Sequence, residues 1–419
     1  MQTIFPRIKK ELIHCLKSEK LFFVFAMVCG FLITSEYAIT KPTSNSIFIT
    51  HYGIKLYPYA WLATVPLNFL VVTLYNRFLP RLGCFPIFLC SILCTIGINV
   101  LSGFYVNQYP PLSFLLYVWK DIYVLFMFQQ IWSIIHTQTQ ISKAKYLYGI
   151  LFGISGCGSI FGSIIPGFLA IKVGSEHLLF MTAPLYLLLI LFYYLLLHQS
   201  SFARNKEIYS TSHNTFQGIK LICSSTSLKF ILFIVILMQF STTIMEFQFN
   251  SFLNLKFPIQ DIRTQFYGRL WATVNTCKLC LQFFATFLLI RFLGFYNSQF
   301  VVPGILLFNS ILSLCHPSFI IITYSFGVMK TFDYSIFNII KEMLYVPLKM
   351  EEKFKAKSII DVFSYRSAKA LASLFVISMQ IFYPLYWPSA FFWSPCVIFT
   401  TWISVLFFLM KKQFFQQAF

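Results

Sequence analysis

Apolar blocks of about 20 residues recur along this chain from end to end, each long enough to cross about 30 Å of hydrocarbon. No other feature constrains the fold as much. Inside a bilayer every backbone N–H and C=O must find a partner within the protein, so a spanning segment is a helix or belongs to a closed barrel. The blocks here are continuous rather than short and alternating, which excludes a transmembrane barrel. The chain is 58% hydrophobic and 11% charged, whereas a soluble domain carries about 25% charged residues. The sequence therefore predicts an all-α polytopic membrane protein with about twelve transmembrane helices.

The spans fall near Leu21–Thr40, Tyr57–Phe78, Cys84–Tyr105, Pro111–Ile135, Tyr146–Ile171 and His177–Leu197, then Phe230–Leu255, Phe266–Ile290, Ser298–Leu314, Ser318–Leu344, Ser358–Tyr383 and Phe391–Met410. Basic residues in connections mark the cytoplasmic side. They occur at Arg77 and Arg81, at Lys143 and Lys145, at Arg204, Lys206 and Lys220, at Arg291, along Lys341–Lys357 and at Lys411 and Lys412. The opposite connections Asn107–Pro110 and Pro384–Ala390 carry no charge, while Lys41, Lys55, Lys172, Lys256 and Arg263 run against the trend. This bias fits an even number of spans with both termini cytoplasmic. The longest polar connection, Gln199–Ser227, separates two groups of about six spans. The expected organisation is a six-helix half over residues 1–198, a cytoplasmic linker over 199–228 and a second six-helix half over 229–419. That is a major-facilitator-like 6+6 arrangement.

Several function classes are disfavoured. A formal charge of +19 invites a nucleic-acid reading, but most of the basic residues sit at the ends of apolar blocks, where they set topology. Cys277 and Cys280 form a C-x-x-C inside a helix with no second pair or histidine at metal spacing, so no metal site is expected. Gly149, Gly153, Gly156, Gly158 and Gly162 crowd the fifth span, a spacing that suits close helix packing. They lack the preceding strand and following Lys-Ser/Thr of a phosphate loop. The seven histidines are scattered singly, none beside a plausible nucleophile, so an enzyme is not expected, nor is a cofactor. The basic N-terminus leading into Leu21 reads as a cytoplasmic lead rather than a cleaved signal.

The informative residues are charges inside or near spans. They are Glu36 and Lys41, Lys120 and Asp121, Glu246, Arg269 and Lys278, Lys330 and Asp333, then Asp361, Arg366 and Lys369: seven cations against five anions. A charge at the centre of a span costs at least about 2.5–3.5 kcal/mol, so such residues face a bundle interior or water. If the anions pair with cations, positive charge remains for an anionic substrate such as a di- or triphosphate. Lys330 and Asp333, at i,i+3, have the option of satisfying one another. Lys120 and Asp121 are sequential and point to different sides. Arg269 and Lys41 lie close enough to span ends to snorkel. Arg366 and Lys369 share a face, repel, and are only partly served by Asp361. Glu246 has no cation within one turn and calls for an interhelical partner or a proton.

Charge is densest from Lys341-Glu342-Met343-Leu344-Tyr345-Val346-Pro347-Leu348 through a Lys-rich spacer to Lys357, then at Asp361, Arg366 and Lys369. A solvated connector is the plain alternative for the loop. In these residues the chain resembles the bacterial and plastid-type ATP/ADP translocases, a family of non-mitochondrial nucleotide transporters. Lys341-Glu342-Met343-x-Tyr345-x-Pro347-Leu348, Lys357-x-x-Ile360-Asp361-Val362 and Arg366-x-x-Lys369 are similar, in order, to that family's signature. Weaker similarities lie at Thr40-Lys41, at Trp132 with Ser142-Lys143-Ala144-Lys145-Tyr146-Leu147-Tyr148, at Glu246 and at Gly268-Arg269. The departures are Pro42 in place of an Asp, Asn250 in place of a Lys, and Lys120 near a family glutamate. The glycines around Lys369 are also missing.

The resemblance implies a major-facilitator-like carrier that exchanges or imports nucleotides across a bacterial inner membrane. The family uses positions matching Lys41, Glu246 and Lys369 for transport. The expected substrate contacts are Lys41, Lys120, Glu246, Arg269, Lys278, Lys330, Arg366 and Lys369. The expected charge or coupling partners are Glu36, Asp121, Glu246, Asp333 and Asp361, and the signature loop carries Lys341, Glu342 and Pro347. The expected partners are a phosphorylated small anion and membrane lipid, with no nucleic acid, and the expected working form is a monomer. A major-facilitator carrier of another solute and a degenerate carrier serving as receptor or scaffold are the competing readings.

Overall fold

The computed structural model describes residues 4–138, 141–200, 222–345, 360, 364–384 and 387–411. Pro347, Asp361, the Lys349–Lys357 run and linker residues 201–221 lie outside the described residues. The described backbone is helical nearly throughout, with no strand among the described residues.

In chain order the helices are α1 (Ile4–Tyr52), α2 (Tyr57–Leu82), α3 (Cys84–Tyr105), α4 (Pro111–Gln138) and α5 (Ile141–Val173). Next come α6 (Ser175–Gln199, tightened to a 3-10 turn at Leu179–Met181) and α7 (Thr226–Lys256). The chain continues through α8 (Gln260–Cys280), α9 (Thr286–Cys315, two helical stretches broken at Gly294, whose φ is 72°), α10 (Phe319–Phe332), α11 (Asn338–Leu344), α12 (Tyr365–Phe382) and α13 (Trp387–Lys411). Among the described residues, nine helical segments are long and apolar enough to cross a membrane. The three other predicted spans, at α8, at α10–α11 and at α12, are helical where described. They fall short because they are shorter or richer in polar and charged residues. Two of them include a π-helical turn: Leu281–Ala285 follows α8, and Asp333–Phe337 joins α10 to α11. Such widened turns are frequent at functional positions.

Two compact units make up the chain. The first comprises Met1–Tyr52, Pro66–Thr211 and Ile259–Asn275; the second comprises Gly53–Val65, Ser212–Pro258 and Thr276–Phe419. In the first, α1 is the central helix and packs on α4, α5 and α6. Phe23, Ile33, Met127, Ile134, Tyr186 and Tyr193 form part of its buried core. The glycines of α5 permit its contact with α1. A Cβ on Gly158 would run into the Phe31 carbonyl oxygen, and one on Gly162 into that of Ser35. Hydroxyls stitch the same seam, Thr34 donating to Ser155 O at 2.7 Å and Ser35 to Gly158 O at 3.0 Å. In the second unit α7 is the hub, packing on α10, α12 and α13, with Phe249 stacked on Phe326 at 4.3 Å between ring centroids.

Large side chains such as Phe69, Phe168, Leu187, Phe308 and Phe407 point outward. In a soluble protein this would be a liability. On a spanning helix it is the lipid-facing surface.

Candidate functional site

The intramembrane charges gather in separate clusters within each unit. In the second unit, Lys330 of α10 donates to Glu246 Oε2 of α7 at 2.7 Å. Asp333 does not pair with Lys330 on its own helix; it accepts a hydrogen bond from Gln239 Nε2 of α7 at 2.9 Å. The π-helical turn that begins at Asp333 departs from the 3.6-residue pitch assumed in the i,i+3 expectation, and α7 presents better-placed partners to both residues. Both are buried. Lys278 approaches the Tyr334 ring at 6.0 Å. Lys341 is buried, with Nζ 3.6 Å from Glu342 Oε1 and 5.4 Å from the Tyr365 ring centroid. On α12, Arg366 and Lys369 are half-buried. The Lys369 ammonium lies 5.2 Å from the ring centroid of Trp61, at the start of α2.

The first unit holds the rest. Lys41 of α1 places its ammonium 3.6 Å from the ring centroid of Trp271 on α8, with Tyr37 at 5.6 Å. A lysine over an indole face is held through the ring quadrupole, which leaves its N–H donors to other groups. Lys120 is 2% exposed. Its Nζ donates to Tyr117 O at 3.1 Å, lies 3.4 Å from the Tyr117 ring centroid and comes within 3.6 Å of Asp121 Oδ1. As sequential residues they start on different sides of the helix. The four-carbon stem of lysine is long enough to bend its ammonium back around the helix. Asp121 also accepts from Tyr37 at 3.1 Å. Glu36 is 1% exposed and held by hydroxyls, from Thr40 at 2.6 Å and from Tyr123 at 2.7 and 2.9 Å. Arg269 is exposed, its Nε donating to Gly167 O at 2.8 Å, beside a close approach of Gly167 to Gly268.

Three further buried side chains are not singled out by the sequence. Trp61 and Trp271 were lost among 20% aromatic residues; only their contacts with lysines separate them from packing rings. Arg263 counted as an exception to the charge bias, and that was its signal. It is 1% exposed and donates to Ser46 O and to Thr50, binding α8 to α1. Asn45 adds a hydrogen bond to Tyr267 at 2.9 Å on the same seam. Among the described residues no group of three His, Cys, Asp or Glu side chains is arranged to hold a metal ion.

The fold is that of the major-facilitator transporters: all-α, polytopic, with about twelve spans. NupG, a nucleoside transporter, superposes with a TM-score of 0.67 at 14% identity, over 93% of this chain and 99% of that one. The xylose transporter XylE from E. coli gives 0.62 at 13% identity, over 93% and 97%. A bacterial homologue of the iron transporter ferroportin gives 0.66 at 12%, over 92% and 99%. At such identities the likeness establishes the fold. No family model matches the chain.

Proposed function

We propose that this chain is a secondary carrier that moves nucleotides or similar phosphorylated anions across a bacterial inner membrane by alternating access. Lys41, Arg366 and Lys369 contact phosphate, and the Glu246–Lys330 pair helps to switch conformation. The observation that carries this reading is the retention of positive side chains within spanning helices, Lys41 and Lys369 each against a tryptophan face. Lipid cannot solvate such groups, and a helix that keeps them has a use for them. Lysine is a strong point-charge partner for phosphate, and arginine adds a planar fork.

The family resemblance around Lys341–Lys369 supports the nucleotide class, and the nucleoside carried by NupG is consistent with a base-recognising member of this fold. The xylose transporter shows that the same fold takes other cargo. Uptake of labelled ATP, ADP and NAD into cells expressing the chain tests the reading. Transport of an uncharged solute that survives Lys369→Ala would favour the other-solute carrier.

A further inference from the structure

Each compact unit takes in one short segment from the opposite half of the sequence. Gly53–Val65, at the start of α2, belongs to the second unit, and Ile259–Asn275, on α8, belongs to the first. Each of these exchanged segments carries a buried tryptophan, Trp61 at 1% exposure and Trp271 at 5%. Each tryptophan meets a lysine from the half that receives it. Trp271 has the Lys41 ammonium 3.6 Å from its ring centroid, and Trp61 has that of Lys369 at 5.2 Å. These are two of the side chains assigned above to phosphate.

Hydrogen bonds also hold the α8 segment to the first unit. Arg263 donates to Ser46 O and to Thr50, Asn45 to the Tyr267 hydroxyl, and the Ser175 hydroxyl to Asp261. None of these bonds uses Lys41. The lysine–indole contact is different, because it draws a full positive charge to the ring quadrupole. An ammonium has three donors, so it can bind a phosphate oxygen without first leaving the ring. The anion then sets an opposite charge beside the ammonium. What the ring meets is closer to a dipole than to a charge, and its attraction is weaker.

We propose that Trp61 and Trp271 couple substrate binding to the conformational switch. Each holds its exchanged segment to a phosphate-binding lysine, and phosphate on that lysine loosens the hold. In alternating access one half rocks against the other, so a segment lodged with the opposite half has to be released or bent. The inference rests on the carrier reading above and concerns how occupancy of that same site is sensed. The Lys41–Trp271 contact is the shorter, so the α8 segment is the more responsive of the two.

Hydrogen–deuterium exchange on the purified full-length protein tests it, with binding of ATP, ADP and NAD followed separately by thermal shift. A bound ligand ordinarily slows amide exchange. Here nucleotide should speed it in residues 53–65 and 259–275, by about twofold to thirtyfold for a weakened cation–π contact. Lys41→Met keeps an unbranched stem against the indole and removes the charge. It should raise exchange at residues 259–275 without nucleotide, and Lys369→Met should do so at residues 53–65. Trp271→Phe, which retains a weaker ring face, should loosen the α8 segment less than Trp271→Leu. Nucleotide that binds without speeding exchange in a segment overturns the role of that segment's tryptophan and leaves the carrier reading intact. A Lys41→Met protein whose α8 segment stays as protected as in the wild type also overturns it, since the indole then only packs. If none of the three nucleotides binds, the carrier reading fails and the coupling role fails with it.

Discussion

Glu246 and Lys330 stand 2.7 Å apart and are largely buried. Removing one partner of such a pair strands the other charge, at a cost of about 3–5 kcal/mol. Glu246→Ala should therefore lower the thermal midpoint of the detergent-solubilised protein sharply. Adding Lys330→Ala to that variant should recover part of the loss. Strict additivity of the two single effects would show that the pair is not an energetic unit. The phosphate-contact assignment has its own consequence at this scale. A hydrogen bond to a charged group contributes about 1.5–3 kcal/mol. Lys41→Ala or Lys369→Ala should therefore weaken ATP transport by about tenfold to a hundredfold in KM, while the thermal midpoint shifts far less than in Glu246→Ala. Equal losses of fold stability and transport would make these lysines structural.

At the scale of elements, the α1–α5 seam makes a contrast that packing alone should decide. Gly162→Ala would drive a Cβ into the backbone of Ser35, whereas Gly149→Ala meets nothing within 4 Å. The first change should destabilise the protein by about 1–3 kcal/mol or more. The second should be neutral or slightly stabilising, since alanine is the better helix former by about 0.5–1 kcal/mol. Thermal midpoints of the two variants give the comparison. The glycine crowding in the fifth span was legible as close packing because spacing on one helix is a local property. Partner choice was not. Lys330 and Glu246 lie 84 residues apart, and nothing in either neighbourhood names the other. The same holds for Lys41 with Trp271, where one ring out of many proves to be the contact. Even the adjacent Lys120 and Asp121 were misjudged, because a long side chain can defeat the direction set by its Cα–Cβ bond.

For the whole molecule, the class of fold was legible because solvent selects it: hydrocarbon admits continuous apolar helices, and these recur too often to be anything else. The spans that blurred in the apolarity count, at α8, α10–α11 and α12, include many of the polar and charged residues. A helix that holds polar and charged residues departs from the pattern that announces a span. The function is less legible, since a fold shared by a nucleoside transporter, a xylose transporter and a homologue of an iron transporter leaves the cargo to particular side chains. The most direct measurement is uptake of labelled ATP, ADP and NAD by purified protein in liposomes, beside Lys41→Ala and Lys369→Ala. The account predicts saturable transport of at least one of these nucleotides, sharply reduced in both variants. Well-inserted wild-type protein that moves none of them, or moves them equally well without either lysine, would contradict it.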